Sequence, residues 1–244
     1  MIEALVAAAV AMPTPAQLPT LQRLIQSARP VYCAGPRGHS FALTFDDGPS
    51  PYTEGIVRVL RRAHARATFF DVGSRIGLWP SAARASLMVG EIGNHTWSHA
   101  HLLTLSPRDT HHELVWTQGA IRHAVGPTPL LFRPPYEQAD AADDLLARQL
   151  GLLDVRWSVD SGDSRVGATK RSVIRAALAG LRPGAIILMH DPHPTTPAIA
   201  RVVLRAAARK ELRAVTVSTL LARQPPDVPR LAGTGRSPCP PPAP

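Results

Sequence analysis

Cysteine, lysine and long apolar runs are scarce in this 244-residue chain, and each shortage excludes something. The only cysteines, Cys33 and Cys239, have no CxxC spacing, so the chain by itself cannot build a thiolate zinc site. They either form one bridge across the intervening chain or remain two buried thiols. Of 27 basic residues only Lys170 and Lys210 are lysines, and the formal charge of +9 is spread without any run of five basic residues. A dedicated nucleic-acid groove is therefore not expected. No apolar stretch is long enough to span a membrane. The segment from Ile2 to Met12 is rich in Ala, Val and Leu but lacks a basic start and carries Glu3, so it reads as a weak export signal or a short docking helix.

What the chain does have is 45% apolar residues, enough for a sizeable core, and 25 prolines, eight of them after residue 223. The expected division is a leader or docking segment over 1–30, one main domain over 31–223 and an extended Pro-rich tail over 224–244. From Phe41 onward, short apolar runs alternate with helical patterns, as in repeated βα units. Strands are expected at Phe41–Phe45, Ala67–Val72, Glu91–Asn94, Leu130–Arg133, Leu152–Val159, Ala185–Met189 and Arg213–Val217. Helices are expected at Thr53–His64, Pro107–Val125 with Ser106 as N-cap, Ala141–Leu150, Thr169–Leu181 and Thr196–Arg209. Parallel strands joined by such crossovers predict an α/β fold, a distorted (β/α) barrel of seven to eight units, with an open doubly wound sheet as the second choice.

In such barrels the chemistry sits where strands end. Asp46 and Asp47 end the first expected strand, His95 follows the third, Arg133 the fourth, Asp160 the fifth and His190 the sixth. His64, His111, His112 and His123 fall on helices instead and read as solvated or packing residues. Adjacent carboxylates repel, so Asp46-Asp47 before Gly48-Pro49 either shares a cation or forms an ordinary Asx turn. His95 and His99 are four apart, which in one helical turn puts both imidazoles on one side. With Asp47 they make two nitrogens and one carboxylate, an open set suited to a catalytic divalent metal, zinc first. His101 is a rival ligand or a bystander.

Five segments, in order, resemble the polysaccharide deacetylases with the NodB homology domain, the carbohydrate esterase 4 group. They are Thr44-Phe45-Asp46-Asp47-Gly48, His95-Thr96-Trp97-Ser98-His99, Arg133-Pro134-Pro135-Tyr136, Trp157-Ser158-Val159-Asp160-Ser161-Gly162-Asp163 and Leu188-Met189-His190-Asp191. The resemblance implies a NodB-like barrel and the metal ligands Asp47, His95 and His99, with Zn2+ expected and Co2+ or Ni2+ as options. It implies Asp46 as general base oriented by Arg133, the Tyr136 N–H as oxyanion donor and His190 as general acid. Asp163 would tune His190, with Asp160 as the alternative, and Leu188 would line the pocket for the acetyl methyl. Many members carry Trp where this chain has Ser164, so Trp97 or Trp157 would supply stacking.

The implied activity is hydrolysis of N-acetyl groups on peptidoglycan or chitin oligosaccharide, with O-acetyl xylan as an alternative ester substrate. The enzyme would be a monomer, extracellular or cell-wall associated, with a polysaccharide as partner. A binding-only barrel would not need Asp46, Arg133 and His190. A phosphoesterase would want a Gly-rich nest or more basic residues on the rim.

Overall fold

The structure, a computed structural model, describes residues 16–126, 128–226 and 239. The expected leader at Ile2–Met12 and the tail from residue 227, apart from Cys239, lie outside the described residues. Among the described residues, eight strands form one sheet: β1 (Ser40–Gly48), β2 (Ala67–Asp71), β3 (Gly90–Asn94), β4 (Leu131–Phe132), β5 (Leu153–Asp154), β6 (Val159–Asp160), β7 (Ile186–His190) and β8 (Arg213–Val215). Their order is β5-β4-β3-β2-β1-β7-β6, all pairs parallel, with β8 on the first half of β1. This is the distorted (β/α) barrel expected.

Alternation along β1 explains the layers. Phe41, Leu43 and Phe45 face the outer core, which α2 (Thr53–Arg62), α7 (Lys170–Ala179) and α8 (Thr196–Arg209) cover. The alternate residue Ala42 faces the interior with Phe70, Leu131, Val155 and Ile186. Thr44 and Asp46 share that inward parity, so the upper interior is polar and must be satisfied from within. α5 (Pro107–Val125) has the expected bounds, Ser106 caps it by accepting from the Asp109 N–H at 3.2 Å, and α6 (Ala141–Gln149) packs beside it.

The described residues depart from the sequence reading at one strand and at helices it did not expect, among them Gly73–Ile76 and α4 (Pro80–Leu87). The single strand expected over Leu152–Val159 is two, because the Val155 and Arg156 carbonyls turn inward to accept hydrogen bonds from Arg133 instead of pairing in the sheet. The chain crosses there from β5, paired with β4, to β6, paired with β7. Within the segment 1–30, residues Leu18–Gln26 form α1, whose Leu21, Leu24 and Ile25 enter the inner core beside Leu220 and Leu221. The latter two belong to α9 (Val217–Arg223), a two-turn helix opened by the Thr216 cap and too short to stand out as a periodic pattern. Cys33 and Cys239 are joined in a disulfide, their Cα atoms 5.9 Å apart. No helix among the described residues is long and apolar enough to cross a membrane.

Candidate active site

All the expected rim residues gather at the C-terminal ends of the strands, and local backbone explains how adjacent acids reach one site. Neighbours in a regular strand point to opposite faces, but the β1–β2 register shifts between Asp46 and Gly48, and Asp47 has φ 66°. This bulge turns Asp47 toward the same rim as Asp46. A Cβ at Gly48 would lie 2.6 Å from Asp71 Oδ1, so a larger residue there would displace that buried carboxylate. Arg75, on the short helix α3 (Gly73–Ile76), donates through Nη1 to the Asp47 carbonyl.

His95 and His99 do not share a helical turn, as their spacing had suggested. The loop after β3 carries Thr96 at φ 63° and His99 at φ 62°. Side-chain turns set it: Asn94 Oδ1 accepts from the Thr96 N–H at 2.9 Å, and Thr96 Oγ1 from the His99 N–H at 3.1 Å. The Gly73 and Ser74 amides donate to the Thr96 and Trp97 carbonyls, and Glu113 of α5 accepts from the Ser98 N–H and hydroxyl, both at 2.8 Å. Short polar side chains therefore override helical periodicity here.

The donor set fits a cation. Asp47 Oδ1 is buried, accepts no hydrogen bond of good geometry, and lies 3.3 Å from His95 Nε2 and 3.0 Å from His99 Nε2. His95 Nδ1 is 2.7 Å from the Arg133 carbonyl, which can only accept, so Nδ1 bears the proton. A neutral His95 then turns the Nε2 lone pair toward Asp47, an arrangement that a positive charge must relieve. Three ligand atoms within 4.8 Å of one another make Asp47, His95 and His99 a possible metal site. Burial pushes the Asp47 carboxyl up, but imidazoles carrying a proton at Nε2, in the place a cation would otherwise take, outweigh it and hold it well below the usual carboxylate range. His101 contributes no ligand atom to this set.

Arg133 is 0% exposed and spends its donors inside the barrel. Nη1 reaches Asp46 Oδ1 at 2.7 Å and Thr44 Oγ1 at 2.8 Å, Nε the Val155 carbonyl at 2.8 Å, and Nη2 the Arg156 carbonyl at 3.1 Å. Phe70 lies beneath the guanidinium at 4.1 Å, and Trp157, half-buried against the inner core, at 5.6 Å. Trp97 is half-buried as well, edge-on to Trp116 at 6.1 Å.

On the opposite wall, His190 Nδ1 donates to Asp163 Oδ1 at 2.7 Å, and its N–H to Asp163 Oδ2 at 2.8 Å. Asp160, the alternative partner, instead accepts from the Gly162 N–H and from Arg165 Nη2. Burial pulls the His190 pKa down, but the Asp163 hydrogen bond and charge, with Asp46 and Asp47, raise it to about 9. Leu188 is buried on β7 in register with Thr44, on the strand face that also carries His190. Tyr136, at φ 58°, is exposed and places Oη 3.0 Å from His99 Nδ1.

Arg75, Arg156 and Asp71 were missed from the sequence. Arg156 is paired with Asp154 and donates to the Glu137 carbonyl. Asp71 is fully buried with neither carboxylate oxygen hydrogen-bonded, and burial, helped by Asp191, pushes its carboxyl well above the ordinary range. Arg75 and Arg156 act on backbone carbonyls, which leave no mark in a motif. A charged residue ending the apolar run Ala67–Asp71 is the one signal that pointed to Asp71.

A family model described as polysaccharide deacetylase matches residues 34–155. The peptidoglycan-N-acetylglucosamine deacetylase PgdA of Listeria monocytogenes is 36% identical over 181 residues, covering 73% of this chain and 38% of that protein. A chitooligosaccharide deacetylase of a Bradyrhizobium species is 38% identical over 161 residues, covering 64% of this chain and 72% of that one. Among solved structures, a family 4 carbohydrate esterase from Streptomyces lividans, in complex with acetate, superposes with a TM-score of 0.69 at 35% identity, covering 72% of this chain and 92% of that one. The chain thus spans little more than a third of the Listeria relative's length.

Proposed function

Since the chain belongs to the polysaccharide deacetylase family, we propose that it is a metal-dependent hydrolase that removes N-acetyl groups from N-acetylglucosamine-containing polysaccharide, releasing acetate and a free amine. The observation that carries this reading is the convergence of Asp47, His95 and His99 beside a separate carboxylate, Asp46, and a half-buried histidine, His190. A divalent ion held by Asp47, His95 and His99, zinc first, would polarise the amide carbonyl and acidify a water.

The protein's own residues do the rest. Asp46, held through Oδ1 by Arg133, keeps Oδ2 for taking the proton of the attacking water. The Tyr136 N–H would donate to the oxygen that gains charge in the tetrahedral intermediate. His190, oriented by Asp163 at Nδ1, gives its Nε2 proton to the departing nitrogen. Leu188 offers an apolar wall to the acetyl methyl, and the half-buried Trp157 a ring edge to the sugar. Residues 31–223 would carry the catalytic unit. Peptidoglycan is the first substrate class, since a strongly basic protein suits an acidic wall, and chitin oligosaccharide the second. Such polymers lie outside the cell membrane, where the enzyme would work.

The test is acetate release from N-acetylglucosamine pentamer, peptidoglycan and acetyl xylan, with and without a chelator. Release from the amide substrates that the chelator abolishes and zinc restores is expected. Chelator-resistant release, or release from the xylan ester alone, sinks the proposal.

His190 also predicts the pH profile. A histidine raised to about 9 is protonated, and competent as an acid, below that pH, so kcat/KM should hold through neutrality and fall as pH rises past about 9. Asp163→Asn removes the partner that raises it, so the alkaline limb should move to lower pH. An unmoved limb would assign that ionisation to another group.

A further inference from the structure

The ring of His101 lies flat on that of Tyr136, with centroids 3.8 Å apart and planes 4° from parallel. On its other side His101 Nδ1 donates to Gln138 Oε1 at 3.0 Å. These contacts bracket an unusual turn. Tyr136 and Glu137 stand consecutively at φ 58° and 60°, a left-handed pair that persists only where the surroundings hold it. Arg156 holds the turn from below through the Glu137 carbonyl. Tyr136 itself is 53% exposed, so no core packing fixes its ring from above. His101 does so from a firm base, because the next residue, Leu102, is buried with Leu114, Phe132 and Leu152.

The position of Tyr136 matters because its Oη faces His99 Nδ1 at 3.0 Å. For His99 Nε2 to turn a lone pair toward a cation, Nδ1 must carry the proton and donate it to that hydroxyl. We propose that His101 is a positioning residue: by covering Tyr136 and tying down Gln138, it keeps the Tyr136 hydroxyl on His99 and thereby keeps His99 Nε2 aimed at the metal-binding point. The inference rests on the metal-site reading above.

The test uses His101→Ala, His101→Phe and Tyr136→Phe in the full chain. Zinc affinity is read by competition with a chromophoric chelator, and kcat and KM by acetate release. His101→Ala should weaken zinc binding about tenfold and lower kcat more than it changes KM. His101→Phe keeps the flat face and should recover most of both losses. Tyr136→Phe keeps the stack but deletes the hydroxyl, and should match the zinc loss of His101→Ala. Unchanged zinc affinity in His101→Ala, or a His101→Phe as impaired as His101→Ala, overturns the inference. A wild-type protein that binds no zinc overturns the metal-site reading first, and does so without any activity measurement.

Discussion

Asp46→Asn is expected to lower kcat by about 10²–10⁴-fold while zinc stays bound at the stoichiometry of the wild type. The substitution keeps the size of the side chain and an oxygen for Arg133 Nη1, now 2.7 Å from Asp46 Oδ1, so orientation is largely preserved. What it removes is the lone pair and charge that let Oδ2 take a proton. The atoms that could hold a cation come from Asp47, His95 and His99, and Asp46 Oδ2 stands 3.8 Å from His95 Nε2, outside that set. The measurement is kcat at saturating substrate together with metal content and circular dichroism, so that loss of chemistry is separated from loss of fold or metal. A folded, zinc-loaded Asp46→Asn with near wild-type kcat would remove Asp46 from the mechanism and leave the base to be found elsewhere.

The second large effect is on stability. Arg133→Met is expected to lower the unfolding free energy by about 3–5 kcal/mol, because Asp46 would remain buried without its counter-charge. Arg133 and Asp46 are 0% and 2% exposed, so water cannot take over from the missing partner. The Val155 and Arg156 carbonyls, which accept from Arg133 where the sheet turns from β5 to β6, would lose their donors too. In a chain of this size that loss corresponds to a melting point lower by roughly 2–4 °C per kcal/mol. Asp46→Asn introduced into Arg133→Met should cost less than in the wild type, by a coupling of about 0.5–3 kcal/mol, since the orphaned charge is then gone. Urea unfolding in the presence of a chelator, which keeps cations out of all four proteins, measures the cycle. Additive losses would mean that the pair is not energetically linked.

Much of the architecture was readable because its periods are local. The apolar runs at Phe41–Phe45 and Ala67–Val72, and the Ser106 cap before Pro107–Val125, are set by nearest neighbours, and the structure keeps them almost unchanged. The rim argument depended only on where those runs end, and it placed Asp46, Asp47, His95, Arg133 and His190 together correctly. The Leu152–Val159 run failed as one strand for a non-local reason: its carbonyls are claimed by Arg133, some twenty residues earlier in the chain. The helical-turn argument put His95 and His99 on one side by a geometry that the structure does not use. Asn94 and Thr96 side chains, with Glu113 from a distant helix turn, impose the loop instead.

The sequence by itself determined the succession of strands and crossovers, the residues that end those strands, and the chemical types available at the rim, because alternation, capping and turn residues act over a few positions. Only the tertiary structure decided that Asp46 and Asp47 face one site, through a bulge at Asp47 and a glycine pressed against Asp71. It alone chose Asp163 over Asp160 as the partner of His190, set His101 on Tyr136 instead of among the ligands, and joined Cys33 to Cys239. Each of those outcomes depends on groups far apart in the chain meeting at a distance of one hydrogen bond, one ring stack or one covalent bond, and no local period encodes which of several eligible partners arrives.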